Sequence, residues 1–111
     1  MSTVRNLFAD PVVPPVGECF ETLCCRPGVR IERIVSSAAP EPVLYDQAED
    51  EWVALLRGEA ELEVEGALVR LGAGDCLLLP AHTRHCLKRV SAGAVWLAVY
   101  VPPAEGAATP A

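Results

Sequence analysis

Residues 59–71 read E-A-E-L-E-V-E-G-A-L-V-R-L, and no other run limits the possible folds so sharply. Glu59, Glu61, Glu63 and Glu65 alternate with Ala60, Leu62 and Val64, the period of a strand with one wet and one dry face. Glu65-Gly66 then supplies a two-residue turn of the primed type, because glycine accepts positive φ, and Ala67–Leu71 returns. A hairpin with one apolar face is not stable alone in water and must lie against further strands.

The rest of the chain supplies them. Short apolar runs bounded by glycine or proline turns predict strands at 18–25, 29–36, 43–47, 51–57, 59–65, 67–71, 76–79, 84–90 and 94–101. Arg26-Pro27-Gly28, Gly72-Ala73-Gly74-Asp75 and Pro80-Ala81-His82-Thr83 are the clearest turns between them. No amphipathic helical period competes, so the fold class is all-β, a sandwich or barrel in one domain. Residues 1–17, with Pro11, Pro14 and Pro15, read as an extended N-terminal arm with at most one helical turn near Asn6–Ala9. Residues 18–101 form the barrel, and the small-residue stretch 102–111 reads as a disordered tail.

Fifteen Asp and Glu against nine Lys and Arg give a net charge of -6, which repels phosphate backbones and anionic lipid heads. Nucleic acid and membrane are thereby excluded as expected partners, and no apolar run approaches the ~20 residues that span a bilayer. Five cysteines, an odd number without C-x-x-C spacing, fit free thiols in a reducing cytoplasm. The start of the chain shows no targeting segment.

Strand parity brings together a candidate site. Tyr45 and Gln47 share one face of their strand, Glu51 shares a face with Val53 and Leu55, and His85 shares one with Leu87. A buried Glu51 needs a cation, a donor or a metal, because an uncompensated buried charge costs about 3–5 kcal/mol. His85 is its expected neighbour. Arg33 falls on the odd face of residues 29–36 with Val29, Ile31 and Val35, the better core face. There it reads either as a salt-bridged, snorkelling side chain or as an anion contact in the pocket. Trp52, Ala54 and Leu56 form an apolar row opposite Glu51, to be covered by the N-terminal arm or by a second subunit in a homodimer.

The order of these pieces resembles the cupin family. Glu51, six residues and Gly58 are similar to the latter half of the first cupin motif. Gly74, five residues, Pro80 and the run P-A-H-T-R-H ending at His85 are similar to the second. The resemblance covers most of residues 29–101. It implies an antiparallel double-stranded β-helix (jelly roll), often dimeric, with a lumen metal site of three histidines and one glutamate. Glu51 and His85 match two of those ligands, while Tyr45 and Gln47 stand where the family carries its paired histidines. His82 stands at a family glycine and Arg89 at a family asparagine.

Three readings of the site stand open. Gln47, Glu51 and His85 hold one divalent metal (Zn, Fe, Ni or Mn), with His82 or Tyr45 as further ligands. Alternatively, Glu51 and His85 are a metal-free acid–base pair in a small-molecule pocket that includes Tyr45, His82 and Arg33. In the third reading they are a satisfied polar network in a structural barrel. The first two make the chain either a metal-dependent enzyme on a small molecule or a non-catalytic binding or sensor protein. The fold does not choose a reaction.

Overall fold

The fold is seen in a computed structural model that describes residues 3–104. Eight strands follow one another: β1 (Glu18–Arg26), β2 (Val29–Ser36), β3 (Asp50–Arg57), β4 (Glu59–Val64), β5 (Ala67–Gly72), β6 (Cys76–Leu79), β7 (His85–Val90) and β8 (Val95–Val101). They make a five-stranded sheet in the order β1-β2-β8-β3-β6 and a three-stranded sheet in the order β5-β4-β7, every pairing antiparallel. This is the all-β jelly roll expected from the turn chemistry. The tail expected at 102–111 lies largely outside the described residues.

The hairpin forms as its sequence dictates. Glu59 pairs with Gly72 and Val64 with Ala67, and both turn residues, Glu65 and Gly66, take positive φ, 47° and 82°. Ala60 and Leu62 are buried while the glutamates stay at the surface. Between the sheets Leu62, Leu71 and Leu87 meet Ile34, Val53, Leu55, Leu79 and Trp96. Leu55 is fully buried and belongs to the centre of this core.

The strand expected at Val43–Gln47 does not form; only a single bridge joins Tyr45 to His85. Pro40 and Pro42 offer no amide donors, and the Gln47 carbonyl is taken by the His82 amide at 2.6 Å, so no ladder propagates. The segment still serves the architecture, since it lies beside β7 and roofs the space between the sheets.

Strand β2 corrects a second expectation. Its even face, with Ile34 and Ser36, turns toward the other sheet, and the odd face, with Arg33 and Val35, turns outward. Both faces are buried because the N-terminal arm crosses the outer one. Arg33 Nη1 donates to the carbonyls of Leu7 (3.2 Å) and Ala9 (2.6 Å), and Arg33 Nε lies 3.0 Å from Glu21 Oε1. Between Leu7 and Ala9, Phe8 packs under the Arg57 guanidinium at 4.8 Å. Arg33 is therefore a clasp for the arm and does not line the interior.

The apolar row opposite Glu51 is also interrupted. A bulge between Leu55 and Arg57 takes Leu56 out of register. Ala54 is buried, whereas Trp52 keeps 38% and its cross-strand neighbour Leu78 keeps 54% of their surface exposed.

Candidate functional site

Both sheets contribute to one cavity of about 60 Å3. Glu51 enters from the start of β3 and His85 from the start of β7, so the residues matched to the two motifs meet across the sandwich. Both are almost wholly buried, at 6% and 7% exposure. His85 Nε2 stands 3.7 Å from Glu51 Oε1, too far for a direct hydrogen bond, while its Nδ1 lies 2.9 Å from the Thr83 carbonyl. That carbonyl can only accept, so Nδ1 carries a proton and Nε2 is the atom turned toward the carboxylate. Tyr45 stacks on the imidazole with ring centroids 5.5 Å apart. Gln47 donates its amide N–H to Glu51 Oε1 at 2.9 Å.

Tyr45, Gln47, Glu51 and His85 thus gather at one place, as expected. Two other expected residues do not. His82 sits in the turn after Pro80 with φ 61°, its ring exposed and 2.8 Å from Asp46 Oδ1. Arg33 is held by the arm on the opposite side of the sheet.

Residues not singled out from the sequence complete the cavity. Glu18, at the first position of β1, turns inward and accepts from Ser36 Oγ at 2.8 Å; Ser36 Oγ in turn accepts from Trp96 Nε1 at 2.9 Å. Tyr100 lies directly across from Glu51 on β8, with the Arg30 guanidinium over its ring at 4.1 Å. Parity was the available signal: Trp96, Ala98 and Tyr100 alternate on one face of β8.

Burial sets the protonation states. It raises the Glu18 carboxyl above 4.5; the Ser36 bond opposes this and the Glu51 charge adds to it. For His85 burial alone favours the neutral ring, but the facing Glu51 and the Thr83 carbonyl outweigh it and raise the pKa above 6.5. Burial and the charges of Glu18, Glu41 and Glu51 push the Tyr45 phenol above 10.0. Burial and Glu51 push Tyr100 well above its ordinary value too, so both phenols remain donors at neutral pH.

The donor set does not fit a complete metal centre. It offers one imidazole nitrogen, the carboxylates of Glu51 and Glu18 and one amide, and Glu18 is already engaged with Ser36 Oγ. Among the described residues no group of three His, Cys, Asp or Glu is placed to hold an ion. Structural zinc sites take four such ligands and catalytic ones three.

All five thiols are free. No described helix is long and apolar enough to cross a membrane.

Known proteins share this architecture. A candidate mannose-6-phosphate isomerase from Ralstonia eutropha JMP134 is 41% identical, with a TM-score of 0.81 over 91% of this chain and 99% of its own. An RmlC-like cupin from Desulfovibrio desulfuricans is 20% identical, with a TM-score of 0.78 over 94% of this chain and 100% of its own. KdgF from Halomonas sp. is also 20% identical, with a TM-score of 0.72 over 86% and 88%. No curated protein matches the sequence. The sequence pattern of the cupin domain matches residues 32–100, which span both halves of the site. The chain belongs to the cupin family.

Proposed function

We propose that this cupin binds a small organic molecule in its lumen, with Glu51 and His85 acting on it as a metal-free proton acceptor and donor. The observation that carries this reading is the pair itself. Two buried ionisable groups face one cavity, their side chains fixed by Gln47, Thr83 and Tyr45, and they stand 3.7 Å apart. Cationic His85 donates from Nε2 to a ligand oxygen, and Glu51 accepts a proton in exchange. The candidate activity of the Ralstonia relative does not carry over easily. A phosphosugar needs Arg, Lys or a helix N-terminus for its phosphate, and no Lys or Arg is among the described residues lining the cavity.

Thermal unfolding with and without Zn, Mn, Ni and Fe tests the metal-free reading. The wild-type midpoint should not move. Gln47→His, which adds an imidazole beside Glu51 and His85, should gain about 2.7 kcal/mol when metal is present at ~100 times its Kd. Stabilisation of the wild type would restore Gln47, Glu51 and His85 as ligands and overturn the proposal.

A homodimer belongs to the same proposal. Trp52 and Leu78 leave an apolar patch exposed on the outer face of the five-stranded sheet among the described residues, and a second copy of that patch would cover it. Sedimentation giving only monomer at micromolar concentration would reject this. Five unpaired thiols support a reducing, cytoplasmic location.

A further inference from the structure

A second hollow of about 80 Å3 shares Glu18, Phe20, Tyr45 and Leu87 with the lumen cavity and adds Glu41 and Val43 to its walls. Glu41 folds back over Gly17. A Cβ on that glycine would stand 2.6 Å from Glu41 Oε1, so only glycine leaves room for the carboxylate to turn this way. The approach to the lumen is therefore edged by two carboxylates, Glu18 and Glu41, and no Lys or Arg is among the described residues lining either space. Deeper in, His85 offsets the charge of Glu51, which leaves the unbalanced negative charge at the approach.

The inner end has a different demand. His85 is 7% exposed, its Nε2 has no hydrogen-bond partner among the described residues, and the nearest carboxylate oxygen is 3.7 Å away. That nitrogen opens onto the cavity, where a ligand or water oxygen can meet it. Between the two ends the walls are apolar: Ile34, Val53, Leu62, Leu79, Leu87 and Trp96. A polyol would leave hydroxyls unpaired against them, at about 1–3 kcal/mol each. An anion would meet like charge at the approach.

We infer that the lumen takes a short-chain amino alcohol, its ammonium at Glu18 and Glu41, its methylenes along the apolar walls and its hydroxyl at His85 Nε2. This deepens the proposed function and rests on the lumen being a small-molecule site.

Tryptophan fluorescence tests it. The chain has two tryptophans, and only Trp96 lines the cavity, so Trp52→Phe makes Trp96 the sole reporter. Titration with 5-aminopentan-1-ol should saturate. Pentylamine and pentan-1-ol, each lacking one polar end, should bind about tenfold more weakly, and 5-hydroxypentanoate should not bind. Glu41→Gln in the same background should weaken the two amines about fivefold and Glu18→Gln about tenfold, leaving pentan-1-ol unchanged. If 5-hydroxypentanoate or pentan-1-ol binds as tightly as 5-aminopentan-1-ol, the amino alcohol is wrong while the lumen remains a small-molecule site. If no probe saturates the signal, both readings fall. Loss of pentan-1-ol binding along with the amines in Glu41→Gln would remove the charge argument.

Discussion

Gly58→Ala should lower the stability of the fold by about 3 kcal/mol or more, seen as a lower urea midpoint with an unchanged slope. Gly58 links β3 to β4, and so joins the two sheets, with φ at 97°. An L-residue there carries backbone strain of about 1–3 kcal/mol before any contact is counted. Contacts then add to it. A Cβ would stand 2.5 Å from Ser91 Oγ, 3.0 Å from Ala94 Cβ and 3.2 Å from Ala94 Cα. Ser91 cannot simply swing away, because its Oγ accepts from the Glu59 amide at 2.9 Å. Gly66→Ala is the control. Its φ is also positive, 82°, but nothing lies within 4 Å of the added atom, so it should lose only about 1–2 kcal/mol. Equal losses in the two variants would mean that strain alone matters and that the close approach of Ser91 and Ala94 does not.

His85→Ala should cost about 3 kcal/mol at pH 6, and the cost should shrink as the pH rises. The substitution leaves Glu51 buried without its facing cation, held by the Gln47 amide, and removes the ring on which Tyr45 stacks. The pH dependence follows from proton counting. His85 titrates higher in the folded chain than at its ordinary 6.5, so the folded state binds more protons in that interval. Its contribution is complete below about pH 6.5 and is lost as pH rises through the raised folded value. Glu18, also raised, has the same sign in a lower window that begins at its ordinary 4.5. Glu21 works in the opposite sense: Arg5, with Arg33 adding, holds it below 4.5, so its contribution disappears as acid protonates it. Wild-type stability should therefore be greater in mild acid than at pH 8. Urea titrations from pH 5 to pH 9 should show the decline above pH 6.5 in wild type and not in His85→Ala. A flat wild-type profile would mean that Glu51 does not hold the proton on His85.

The sequence exposed those elements whose two faces differ. Glu59–Glu65 alternates charge with apolar side chains, and one face lies in water, so its register could be read directly. Glu51 and His85 were legible for a related reason, since each shares its strand face with apolar neighbours, Val53 and Leu55 for the one and Leu87 for the other. β2 was not legible, because the N-terminal arm buries its outer face and both parities become core-like. Choosing between them by hydrophobicity put Arg33 inside, whereas Ile34 and Ser36 face the lumen. Glu18 was missed by the same ambiguity one strand earlier. For Val43–Gln47 the composition suits a strand, but the segment gains only one bridge, because Pro40 and Pro42 before it offer no amide donors and the His82 turn takes the Gln47 carbonyl. Local pattern does not reveal a competition between distant segments.

That single bridge has a kinetic consequence. The roof at Tyr45–Gln47 is held to the barrel by three main-chain hydrogen bonds, two between Tyr45 and His85 and one from the His82 amide to Gln47. At about 0.5–1.5 kcal/mol each, releasing them costs roughly 1.5–4.5 kcal/mol, within reach of local fluctuation while the sheet ladders stay intact. A molecule held in the proposed lumen site would then leave by lifting this one segment, at a rate set by the roof and not by barrel unfolding. The Tyr45 and His82 amides should accordingly exchange with deuterium well before those of Val53 and Ala98. Comparable protection at all four would make the enclosure uniform and place the exit elsewhere.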